Sequence, residues 1–227
     1  MKPCFPSVPF FENSQSQVRH WIEQYQNQTI VFEKEHEAAL SRLLPLLVCG
    51  EQSAQWVFFN EHQRNSQGSH QGSEQAFERI VADEQLHEMA LALVQRQLPK
   101  PSDLPSLKRR SQHFYLEFGH QITFMDHFAQ VACLDALVCR IMLAIERGEL
   151  GAQHPFTLLC RMIKQDEARH VSASKHYALE LGFDHSAWPT MRGRVADKLH
   201  QLLESERAAF EVLGVDLDWV FKGQGEP

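Results

Sequence analysis

Two short segments share one chemical pattern: Glu84-Gln-Leu-His87 and Glu167-Ala-Arg-His170 each set a carboxylate three residues ahead of an imidazole. On a helix that spacing places both groups on one face, where an oxygen and a nitrogen donor can converge on one ion or share a proton. A single Glu-x-x-His carries little information, because both residue types are common on solvated faces. The neighbours decide. Phe77, Ile80, Val81 and Leu91 share the face of Glu84, and Cys160, Ile163 and Val171 share that of Glu167. Both motifs therefore lie along an apolar stripe directed at a core. Ionisable groups are costly there unless paired, neutralised or bound to a metal.

Two further acids interrupt apolar stripes. Glu51 is flanked on its own face by Leu44, Leu47, Val48, Ala54 and Phe58, and Asp135 by Phe128, Val131, Ala132, Val138, Cys139 and Met142. Glu51 precedes Glu84 by 33 residues and Asp135 precedes Glu167 by 32, so the chain reads as a pseudo-repeat of two helix pairs. Hairpins of nearly equal length bring the six groups Glu51, Glu84, His87, Asp135, Glu167 and His170 to one level. The competing reading is a metal-free bundle whose buried acids and histidines pair with each other, a costly use of six such residues.

The elements that must position these groups follow from helical periodicity and from Pro and Gly punctuation. A leading helix is expected near 15–28, and four longer ones near 36–65, 73–97, 120–148 and 154–182. Pro45 should kink or restart the first of the four, unless a preceding helix ends there. The polar run from Asn65 to Ser73 and the segment from Gly148 to Pro155 suit turns between antiparallel neighbours. Between the second and third long helices the chain runs from Leu98 to Pro105 through three prolines and then a short helical stretch to Gly119. This is the longest interhelical connection and can span a bundle at roughly 3 Å per extended residue. A further helix is expected near 189–210, followed by an apolar tail from Val212 to Phe221.

With the order carboxylate, Glu-x-x-His, carboxylate, Glu-x-x-His on four successive helices, the chain resembles the ferritin-like di-iron carboxylate superfamily over roughly residues 36–182. The resemblance implies an all-α, ferritin-like four-helix bundle with one long crossover, plus a leading helix and a C-terminal helix. It implies a single domain over 1–227, with core helices about 36–182, an N-terminal arm and helix at 1–35, and a C-terminal helix and tail at 183–227. By it, Glu84 and Glu167 bridge two metal ions, and Glu51 and Asp135 are terminal ligands. Asp135 departs from the family pattern, which has Glu there, and its shorter arm can weaken that metal's hold. Glu146 is a nearby but less suitable alternative, only 21 residues before Glu167 and beside a loop.

Carboxylate oxygens with two imidazoles suit two iron ions, with manganese or a mixed iron–manganese pair as the alternative. The leading expectation is an oxygen-dependent non-haem di-iron oxidoreductase that oxidises or hydroxylates a small organic substrate, belonging to the oxidase and oxygenase branch rather than the cage ferritins. Asp166-Glu-Ala-Arg-His170 resembles the last helix motif of arylamine oxygenases and tRNA hydroxylases. The alternatives are a ferroxidase of bacterioferritin type and a non-enzymatic helical binding protein that keeps the core. Dioxygen and a small substrate are the expected partners, with an external electron donor, in a monomer or homodimer.

Other residues are read against simpler roles. Lys164 and Arg169 could hold a substrate carboxylate or an acid just outside the ligand set, though such residues are more often flanking ion-pair partners. Asp166 could orient a ligand imidazole, or be a surface acid. Tyr177 could be a redox-active phenol, though packing is the simpler role. Lys108-Arg109-Arg110 could contact a partner or an RNA, though a short basic run on an acidic protein more often reads as a solvated patch. The net charge of −7 disfavours nucleic acid and anionic membranes. Val131 to Ile145 is expected to be too short to span a membrane and contains Asp135 and Arg140. His62, His70 and His154 read as solvated. The first ten residues lack the blocks of a signal peptide. The five cysteines include no Cys-x-x-Cys pair, and four of them fall in apolar helical stretches, which suits a cytoplasmic location.

Overall fold

The computed structural model describes residues 2–65, 71–120 and 123–222. The expected turn from Asn65 to Ser73, with His70, falls largely outside the described residues. Among those residues every regular element is helical and none is a strand: α1 (Val18–Tyr25), α2 (Lys34–Asn65), α3 (Gln71–Gln95), α4 (Leu104–Gly119), α5 (Phe124–Glu146), α6 (Pro155–Glu180), a 3-10 turn (His185–Ala187), α7 (Trp188–Glu204), α8 (Arg207–Val212) and α9 (Leu217–Phe221). The all-α expectation is met. The chain divides into two compact units, residues 1–115 and 116–227, with the division inside α4.

In the first unit α2 and α3 pack along each other, and α1 packs on α3. Leu40, Leu43, Leu44 and Phe58 of α2, with Phe77 and Leu91 of α3, are fully buried. Each such side chain contributes roughly 1.5–3 kcal/mol by leaving water. That burial explains why α2 runs on through Pro45 rather than restarting. The proline forfeits one backbone hydrogen bond and crowds the preceding turn, but the apolar residues around it hold the helix in place.

On α3 every residue from Val81 to His87 is buried, more than one amphipathic stripe would cover. The N-terminal arm accounts for part of this. Ser14 Oγ donates to Asp83 Oδ1, Phe11 N donates to Gln85 Oε1 at 3.0 Å, and Gln85 Nε2 donates to Pro9 O at 2.8 Å. Extended chain thus supplies hydrogen bonds to buried polar groups of α3, for which an unpaired state costs about 1–3 kcal/mol.

The second unit is built on the α5–α6 hairpin, with α7 and α9 packed on α5. Gly151, at φ 85°, makes the turn that a side chain would strain. His154, expected to be merely solvated, caps α6 by accepting from Phe156 N at 3.1 Å, and Pro155 occupies the first turn, where its missing N–H costs nothing. The same turn receives the C-terminal segment: Glu149 N donates to Leu213 O at 3.1 Å, and a Cβ on Gly148 would stand 2.0 Å from that oxygen.

Three expectations need correction. The leading helix spans only Val18–Tyr25, its entry turned by Ser16, whose Oγ accepts from Val18 N at 3.0 Å. The helix expected near 189–210 breaks at Ser205 and Glu206 into α7 and α8. Finally, α5 has 23 residues and is long and apolar enough to cross a membrane, although 72% of its most apolar window is buried inside the protein, as in a core helix.

Candidate metal centre

Glu51 sits in the middle of α2, and Glu84 and His87 sit one turn apart on α3. All three are buried, and each offers a donor atom within 4.8 Å of the others. His87 Nδ1 lies 3.4 Å from Glu51 Oε2 and 3.6 Å from Glu84 Oε2. Burial, and then the adjacent negative charge of Glu84, push the Glu51 carboxyl well above its ordinary range, with His87 opposing. Two carboxylates and an imidazole in this arrangement could hold a cation, which would relieve the repulsion that raises Glu51.

A polar frame supports this triad. Gln52 Nε2 donates to Glu88 Oε1 at 2.5 Å, and Gln55 Nε2 donates to Glu88 Oε2 at 2.7 Å and to Glu84 O at 3.3 Å. Both glutamines are buried. They fasten α2 to α3 one turn beyond Glu84. The sequence reading missed this frame. Its signal was the spacing of three between Gln52 and Gln55, matched by Glu88 four residues after Glu84.

In the second unit Asp135 lies on α5, and Glu167 and His170 on α6, all buried. His170 Nδ1 lies 3.6 Å from Glu167 Oε2, so both Glu-x-x-His motifs present the same ring nitrogen to their own carboxylate. The Cys139 thiol, one turn after Asp135, is pushed up to about 12, first by burial and then by the negative charges of Glu167 and Asp135, against the opposing influence of His170. All three residues are thus felt at one point between α5 and α6.

The remaining candidates take simpler places. Lys164 Nζ pairs with Glu146, which also accepts from Arg161 Nε at 2.8 Å, so these residues form a partly exposed ion-pair group. Arg169 pairs with buried Asp166 at 2.5 Å. Tyr177 is buried edge-on against Phe128, ring centroids 4.8 Å apart. Lys108, read as part of a solvated patch, donates to Lys2 O at 2.7 Å and holds the N-terminal arm. A further group, Glu33, Glu35 and His36, gathers at the start of α2 with both acids exposed; acids there complement the helix dipole without any ion.

Protein-family models, curated proteins and solved structures contain no match to this chain, so its functional reading rests on the residues and geometry themselves.

Proposed function

We propose that Glu51, Glu84, His87, Asp135, Glu167 and His170 form one dinuclear metal centre, in a ferritin-like bundle of α2, α3, α5 and α6 whose crossover is the long α3–α5 connection. The centre serves an oxygen-dependent oxidase or oxygenase acting on a small organic molecule. The observation that carries this reading is the repetition: each unit by itself buries an acid and a Glu-x-x-His on a helical hairpin, at matched intervals.

The donor set fits two divalent ions. Four carboxylates offset the charge of two such cations, two neutral imidazoles complete the set, and oxygen and nitrogen donors favour iron or manganese over thiolate-seeking metals. A ferrous pair, when bound, supplies the electrons that reduce dioxygen. The chain's own work is to hold and orient. His87 and His170 present Nδ1 toward their carboxylates, and Gln52, Gln55 and Glu88 keep α2 and α3 in register. A cavity of about 210 Å³ beside that frame, lined by Phe5, Phe10, Gln55, Gln85 and Glu88, has a mixed apolar and amide surface suited to a small organic molecule.

Anaerobic loading of the purified protein with iron(II) tests the reading. The expected result is about two ions per chain that are magnetically coupled in Mössbauer and integer-spin EPR spectra, followed by dioxygen uptake on exposure to air. A stoichiometry near zero would sink the centre. Two uncoupled ions would divide it into separate sites, and a large hollow assembly that mineralises iron would replace the oxygenase reading with storage.

A further inference from the structure

Apart from its carboxylates, the first unit holds a pair of thiols. Cys4 on the N-terminal arm and Cys49 on α2 lie in one buried cluster with Phe5, against which Trp56 and Tyr115 pack. Cys49 is close enough to Cys4 to act as its hydrogen-bond partner. Cys4 is held in place through its backbone: its N–H donates to Gln52 Oε1 at 2.7 Å, and its carbonyl accepts from Gln112 Nε2 at 2.6 Å. Lys108, anchored to the Lys2 carbonyl, brings a positive charge to the same place. The hydrogen bond from Cys49 and, after it, the charge of Lys108 outweigh burial and bring the Cys4 thiol down to about 7. A thiol lowered in this way is the better nucleophile of the two. Cys133, Cys139 and Cys160 are instead pushed upward, in each case mainly by burial.

We propose that Cys4 and Cys49 are a redox pair that a hydroperoxide converts to a disulfide, tying the N-terminal arm to α2. The Cys4 thiolate attacks the peroxide: a sulfur–oxygen bond forms, the oxygen–oxygen bond breaks, and the alkoxide leaves and takes up a proton as alcohol. Cys49 sulfur then attacks the resulting sulfenic acid. The sulfur–sulfur bond forms, the sulfur–oxygen bond breaks, and hydroxide departs with the Cys49 proton as water. Two thiols and one hydroperoxide thus give one disulfide, one alcohol and one water. Cys4, 8% exposed, is the less enclosed of the two residues and takes the role of attacking thiol, and Cys49, with no exposure, is the resolving partner. The arm also lines the 210 Å³ cavity through Pro3, Phe5, Pro6 and Phe10, so the disulfide fixes one wall of it.

The full-length protein, stripped of metal with a chelator and treated with hydrogen peroxide, gives the test. After alkylation and digestion without reductant, the expected product is a Cys4–Cys49 peptide pair two hydrogens lighter than its parts and released by dithiothreitol, with the other three cysteines alkylated. In Cys49→Ser, which keeps a hydroxyl donor beside Cys4 but no second sulfur, the intermediate should persist, and dimedone should label Cys4. Alkylation of both Cys4 and Cys49 in oxidised wild-type protein would overturn the proposal, as would a disulfide that joins two chains. The wild-type peptide map gives this answer whether or not the variant folds.

Discussion

In the α2–α3 hairpin the buried acids stand beside amides, whereas in α5–α6 they stand beside thiols and a salt bridge. Gln52 and Gln55 hold Glu88 and the Glu84 backbone, so the first triad rests on a partly buried, hydrogen-bonded frame. On the second hairpin, Cys139 Sγ meets Lys164 O at 3.6 Å, buried Asp166 pairs with Arg169, and Glu146 with Arg161 and Lys164 forms a partly exposed ion-pair group. The second hairpin also carries an aspartate where the first has a glutamate. A ligand pattern can thus recur among different neighbours. For the proposed centre, this difference leads us to expect an asymmetry in hold, with an ion on α2–α3 bound more tightly than one on α5–α6.

The largest expected effect comes from the proposed bridges. Glu84→Ala and Glu167→Ala should each weaken binding of both ions by more than about 100-fold, beyond what loss of an outer partner costs, as read by manganese(II) titration calorimetry. If Glu167→Ala costs one ion and leaves the other intact, the hairpins are independent sites. Next, Gln55→Leu should weaken the tighter ion by about 10-fold and spare the weaker one, because it loosens only the frame behind Glu84. An equal loss at both ions would erase the asymmetry.

A smaller effect concerns the metal-free protein. The folded-state pKa of Glu51 is raised, so its contribution to stability is complete below the ordinary carboxyl range and is lost as pH rises through the raised value. With chelator present, Tm should fall over that rise. Glu51→Gln should flatten the fall and add on the order of 1 kcal/mol near neutral pH, as followed by calorimetry; parallel curves for the two proteins would acquit Glu51. The smallest effect is expected from Asp135→Glu, which makes the hairpins more alike and should tighten the weaker ion a few-fold at most. A looser second ion in this variant would show that the shorter arm is matched to its place.

Much of the helical layout was readable because burial imposes a 3.6-residue period that polar and apolar residues report directly. α2, α3, α5 and α6 begin and end within a few residues of the spans that the period suggests. Breaks with no strong punctuation were not readable: Ser205 and Glu206 part α7 from α8 with neither Gly nor Pro. Pro45 shows the converse, a strong local signal overruled by tertiary burial.

The sequence by itself determined which groups can do chemistry and that they recur. An acid in an apolar stripe, followed 32 or 33 residues later by Glu-x-x-His, is a one-dimensional pattern that helix geometry converts into a shared face. Only the tertiary structure decided what stands beside those groups. That Glu88 gathers two glutamines, that Lys108 anchors the arm, and that Cys4 meets Cys49 from 45 residues away all depend on where a strand of irregular chain comes to rest. Such contacts have no period. They are set by which buried donors and acceptors remain to be satisfied once the helices have packed.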